Sequence, residues 1–107
     1  MMFKSTDTMA IGARLKAIRV GLSPLSQRDW ALKNGFSSTQ YNNWETGIRR
    51  IPVEAAERLC DLYDLTLDAI YLGRLDGLSI RTLQVLQTAA PASPLGINQS
   101  NPQPQER

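Results

Sequence analysis

The chain has no histidine, a single cysteine and no long apolar run. Without histidine it lacks the usual general base near neutral pH and the commonest metal ligand. With Cys60 alone, no disulfide forms within the chain and no ordinary zinc site can be assembled. No neighbouring base is available to activate that thiol, so Cys60 reads as a small buried hydrophobe. A lone cysteine also accords with a reducing compartment. No apolar stretch approaches the roughly 20 residues that span a bilayer, and the first residues lack a signal-peptide core. Acidic pairs such as Glu54/Glu57 and Asp61/Asp64 lie one helical turn apart and read as solvated helix charge, not as acid–base machinery. A soluble, cytoplasmic protein is expected, with no metal, no cofactor and no enzymatic activity.

What the chain does have is an uneven distribution of charge. Its 107 residues suit one domain, and 42% hydrophobic content is enough for a modest core. The net charge is only +2, yet residues 1–50 carry eight Lys/Arg against three acids, while residues 51–76 carry two against six. A polyanion would meet the first segment and be repelled by the second. Two solvated faces of opposite sign would look the same, so the asymmetry gains meaning only beside a binding motif.

Helical periodicity runs through the chain. Ile11, Leu15 and Ile18 recur at helical spacing over Met9 to Val20, with Gly21 as the expected stop. Pro24 marks a connector. Ser26 with Asp29 predicts an N-terminal cap for a helix over 27–34, and Ser37 with Gln40 predicts one for a helix over about 38–46. Gly47 closes the latter, and Ile48-Arg49-Arg50-Ile51 forms a basic loop. Pro52 opens a fourth helix with Val53, Ala56, Leu59, Cys60 and Tyr63 on its inner face. Thr66 caps a fifth, Leu67 to Leu72, ended by Gly73. A sixth segment, Ser79 to Thr88, has Ile80, Leu83 and Leu86 on one face. The expected domain spans 9–73, with an extension over 74–88. Four of the six prolines fall in the last 17 residues, so 89–107 is expected to be a disordered tail.

The densest information lies in 27–47. Ala31 precedes Gly35 by four residues, the spacing of two short helices joined through a tight turn. Gly35 supplies the left-handed backbone that ends one helix and aims the next. Trp30, Phe36, Tyr41 and Trp44 fall at inward positions and read as core. That leaves Ser38, Thr39, Asn42 and Asn43 outward, short hydrogen-bonding side chains of the kind that read base edges in a major groove.

These residues resemble the phage-repressor and Cro type of helix-turn-helix regulator, often called Xre-like. The likeness covers about 9–73. It includes Leu15-Lys16-Ala17-Ile18-Arg19, Leu25-Ser26-Gln27, the Ala31/Gly35 turn, Trp44-Glu45-Thr46-Gly47, and Leu65 through Gly73. Asn34 stands where the family has an apolar residue, and the connector through Ser23-Pro24 is about one residue longer than usual. The resemblance implies an all-α, lambda-repressor-like five-helix domain, here with an expected sixth helix, that binds double-stranded operator DNA, usually as a homodimer. It implies base contacts from Ser38, Thr39 and Asn43, with Asn42 beside them. Phosphate contacts are implied for Gln27, Gln40, Arg49 and Arg50. For Gln27 a local capping role is the rival reading, and for Arg49 and Arg50 it is solubility. Arg19 and Glu45 match positions that join the first helix to the end of the recognition helix as an ion pair.

Two functions from different classes remain open on the sequence. One is a sequence-specific transcription regulator, most simply a repressor. The other is an antitoxin-like protein-interaction module on the same fold. The Arg49-Arg50 loop and the polar face favour the first. No effector domain or small-molecule effector is evident. Ile70, Leu72, Leu75, Leu78, Ile80, Leu83 and Leu86 offer a dimer contact away from the basic half. The rival arrangement folds Leu78 to Leu86 back over its own domain.

Overall fold

A computed structural model describes residues 7–89. Residues 1–6 and 90–107 lie outside the described residues, and with them all of the expected 89–107 tail except Ala89, which ends the last helix. Among the described residues six helices follow in order: α1 Thr8–Leu22, α2 Gln27–Lys33, α3 Ser38–Glu45, α4 Val53–Tyr63, α5 Leu67–Leu72 and α6 Ile80–Ala89. The fold is all-α, with α2 and α3 forming a helix-turn-helix and the whole consistent with a lambda-repressor-like arrangement. Among the described residues no helix is long and apolar enough to cross a membrane.

The helix boundaries follow from local chemistry. Ser26, Ser37 and Thr66 each accept a hydrogen bond from the backbone N–H three residues on, at Asp29, Gln40 and Ala69. Each removes one of the orphan donors of a helix start. Gly21 does not stop α1; the helix continues to Leu22. A glycine in the last turn costs helix propensity but keeps its N–H, whereas Ser23 turns extended and Pro24 cannot continue the ladder.

α1 is the central element and packs against α3, α5 and α6, while α2 packs on α3 and α4 on α5. Ile11, Leu15 and Ile18 are fully buried and meet Trp30, Tyr41, Ile51, Leu59, Ile70 and Leu86 in one core. The approach of α1 to α3 depends on Gly12. A Cβ there would sit 2.5 Å from the carbonyl oxygens of both Trp44 and Glu45, backbone atoms that have no room to yield. Arg14 sits on the same buried stripe, 4% exposed. Its Nε donates to the carbonyl of Ile70 and a terminal nitrogen donates to that of Tyr71, both at 2.9 Å. These are carbonyls at the negative end of α5, which favours a cation. Burial lowers the guanidinium pKa from its usual value.

Two inner faces differ from expectation. On α4, Val53 is exposed, and the buried face is made by Ala55, Ala56 and Leu59. Cys60 and Tyr63 are partly buried against the core. On α6, Ile80 is 74% exposed, while Thr82 and Leu86 are buried, Leu83 is partly buried against the core, and Leu78 just before the helix is buried too. A polar cluster sets this register. Asp64, in left-handed backbone at the end of α4, accepts from Ser79 Oγ at 2.8 Å and from Thr82 Oγ1 at 3.2 Å. Ser79 Oγ in turn caps the N–H of Thr82. α6 therefore folds back over α1, and Ile70, Leu78 and Leu86 lie in the core of their own chain instead of at an outer contact surface.

Candidate nucleic-acid interface

The turn between α2 and α3 is closed by two backbone bonds. The N–H of Phe36 reaches the carbonyl of Ala31 at 2.8 Å, and that of Gly35 reaches Leu32 at 3.1 Å. This is the Schellman pattern, and its left-handed residue is Gly35, φ +85°. Ala31 has no exposed surface. Phe36 then packs edge-on against Trp44 at 5.2 Å and stacks with Tyr41 at 6.1 Å, so the turn and α3 share one aromatic cluster.

With Tyr41, Trp44 and Glu45 buried, the opposite side of α3 faces out. Thr39, Gln40 and Asn42 are exposed, and Ser38 and Asn43 are half-buried. Among the described residues the side chains of Thr39, Gln40, Asn42 and Asn43 make no hydrogen bond within the chain, while the carbonyls of Asn42 and Asn43 are taken by Thr46 Oγ1 at 2.9 Å and by the N–H of Arg49 at 3.1 Å. These bonds fold the loop after α3 onto the helix end. Exposed Arg49 and Arg50 are thereby brought beside Gln40, Asn43 and Trp44 in a shallow cleft that ends at Pro52.

Behind this face lies the ion pair. Arg19 Nε meets Glu45 Oε2 at 2.8 Å and a second guanidinium nitrogen meets Oε1 at 3.2 Å. Glu45 is only 3% exposed in its side chain and Arg19 12%. The hydrogen bond to Glu45 raises the Arg19 pKa, offset in part by burial. Burial first, then the Glu45 charge, pushes the Tyr41 phenol well above its ordinary value. Gln27 joins the same network, with Nε2 donating to Glu45 Oε1 at 3.0 Å. It therefore sits at the start of α2, as expected, but is held by the carboxylate; one amide N–H and the carbonyl are left over.

Arg14 and Arg19 are both turned inward, so two of the eight basic residues of the N-terminal half contribute little to its outer field. Lys16, Arg28, Lys33, Arg49 and Arg50 remain exposed. Sequence reasoning missed the structural part of Arg14, although its position between Ile11 and Ile18 on the apolar stripe was a signal. It also missed Asn34, the buried cap of α2, whose Oδ1 accepts from the Tyr63 hydroxyl at 2.7 Å. The side-chain acceptor pairs with a phenol from α4, which is how a polar residue fits that core corner.

A helix-turn-helix domain profile matches residues 10–70, from the first turn of α1 into α5. No curated protein and no solved structure matches the chain. The profile covers more than half of the sequence and includes every helix that builds the turn and its polar face, so the chain belongs to the helix-turn-helix domain family, a fold that supports DNA-binding regulatory function.

Proposed function

We propose that the protein is a cytoplasmic, sequence-specific transcription regulator of the phage-repressor and Cro (Xre-like) type, and that it represses by placing α3 in the major groove of an operator. The observation that carries this reading is the outer face of α3. Thr39, Asn42 and Asn43 present side-chain hydrogen-bonding groups that have no partner among the described residues, and Arg49 stands at the edge of that face. Asn pairs bidentately with adenine, and Ser or Thr serve base or phosphate. Arg49, Arg50 and Gln40 border the cleft and supply the phosphate-facing side, with the free N–H of Gln27 at the start of α2 as a further contact.

One recognition helix reads only a few base pairs, so the reading includes a homodimer whose two copies address major grooves about 34 Å apart. The apolar surface available for that contact is smaller than the sequence suggests: among the described residues Val53 and Leu62 on α4 and Ile80 and Val85 on α6 are the large apolar residues that stay exposed.

Selection of bound fragments from random duplex DNA, followed by titration at several salt concentrations, tests the reading. A selected site should bind far more tightly than its scrambled version. Asn43→Ala should lose about 1–3 kcal/mol of discrimination at one position. Arg49→Ala should weaken all sequences and reduce the salt slope by about 0.9. Equal affinity for selected and scrambled DNA would defeat it and favour a protein-interaction module.

A further inference from the structure

Arg58 lies on α4, in the acidic segment, with Glu54 four residues before it and Asp61 three after. Both are at helix-neighbour spacing for an ion pair. Among the described residues Arg58 pairs with neither. Its guanidinium crosses instead to the α2–α3 turn and touches all three residues that make it. One terminal nitrogen donates to the carbonyl of Asn34, the last cap of α2, at 3.4 Å. The same nitrogen lies so close over Gly35 that a Cβ there would be 2.6 Å away. The guanidinium carbon stands 5.9 Å from the centre of the Phe36 ring. One and a half turns further along α4, Tyr63 holds the Asn34 side chain and stacks on Trp30 at 4.7 Å.

We infer that Arg58 is a positioning residue for α3: it clamps the 34–36 turn from α4 and so fixes the angle at which the polar face of α3 is presented, governing discrimination between sequences rather than overall affinity. The consequence for discrimination rests on the DNA-binding reading above. The physical path is short. Phe36 carries the contact on to Tyr41 and Trp44, the inward residues of α3. A positive end placed on a helix-terminal carbonyl and over an aromatic face is favourable on both counts. A planar guanidinium does this in one geometry, which an ammonium does not reproduce. Gly35 is required for its left-handed backbone, and a side chain there would also push the guanidinium off the turn.

The test compares full-length wild type with Arg58→Met, which keeps the aliphatic stem, and Arg58→Lys, which keeps the charge. Amide hydrogen exchange at Gly35 and Phe36 should quicken by about threefold or more in Arg58→Met, the size of an exposed cation–ring contact. Leu15 and Ile18 in α1 should keep their rates. Affinity for a selected site relative to scrambled DNA should fall by a similar factor, with the salt slope unchanged, and Arg58→Lys should recover less than half of the loss. Unchanged exchange at the turn overturns the inference whatever DNA does. So do equal acceleration at Leu15 and Ile18, which would make Arg58 a general stabiliser, faster exchange with no loss of discrimination, and full recovery by Lys. A salt slope reduced by about 0.9 would make Arg58 a phosphate contact and also overturn it. If wild type prefers no DNA sequence, the functional reading fails on its own, and the exchange rates still decide whether Arg58 holds the turn.

Discussion

Replacing Arg19 by Met tests how the recognition helix is anchored. The pair is fork-to-fork, with contacts of 2.8 and 3.2 Å, and Glu45 is 3% exposed in its side chain. Loss of the guanidinium leaves that carboxylate in the interior, with the Nε2 N–H of Gln27 and the Tyr41 phenol as its remaining neutral partners. Stranding one member of a buried pair costs about 3–5 kcal/mol. Arg19 is 12% exposed, so water can reach the gap, and the lower end, about 3 kcal/mol, is the appropriate figure. In a domain of this size each kcal/mol moves the melting temperature by about 4–8 °C, which gives a fall of about 12–24 °C. Thermal melts and urea titrations followed by circular dichroism at neutral pH measure it. The double variant Arg19→Met/Glu45→Met should regain more than half of the loss, because a buried ion pair replaced by apolar side chains is often neutral. A cost for Arg19→Met below about 1 kcal/mol, the value of an exposed pair, would refute the argument.

Three further outcomes follow from other contacts. Gly12→Ala should destabilise by more than about 2 kcal/mol by calorimetry, since the new methyl would press on the Trp44 and Glu45 carbonyls at 2.5 Å; a smaller loss would mean α1 and α3 can separate freely. The Tyr41 phenol has a raised pKa in the folded state, so its stabilising contribution is complete below about pH 10 and declines above it, at up to about 1.4 kcal/mol per pH unit, as the unfolded chain loses the proton first. Tyr41→Phe should flatten that decline in urea titrations between about pH 10 and 11, and an unchanged slope would count against a buried phenol. Asp64→Gly relieves a left-handed backbone worth about 1 kcal/mol but removes the acceptor of Ser79 and Thr82, bonds to a charged group worth about 1.5–3 kcal/mol each. Net destabilisation, with faster amide exchange in α6, is expected, whereas a more stable variant would show the cluster to be dispensable.

The parts of this fold legible in the sequence are those decided within four or five residues. Ser26, Ser37 and Thr66 cap helices because a short side-chain oxygen reaches an N–H three residues on. Gly35 turns left-handed because the Schellman bonds require it. Burial of Trp30, Tyr41 and Trp44 follows from their helical spacing, and so does the outward set of Thr39, Asn42 and Asn43. The Arg19–Glu45 pair spans 26 positions, and it was the resemblance, not periodicity, that brought those two residues together.

Only the tertiary arrangement decided the rest. Arg14 counts as surface charge until α5 places its terminal carbonyls 56 residues further along the chain within reach. Gly12 has no local turn to make; its significance is the close passage of α3 over α1. Ile80 and Leu86 share an apolar pattern, yet the bonds from Ser79 and Thr82 to Asp64 rotate one outward and seat the other in the core. Arg58 had two acids at ion-pairing spacing along its own helix and found the turn instead. Periodicity and capping record which side of a helix is apolar and where it ends, because those are properties of one backbone segment. Which helix meets that side, at what angle and over which residue, depends on how segments far apart in sequence pack at once, and no single stretch of the chain contains that information.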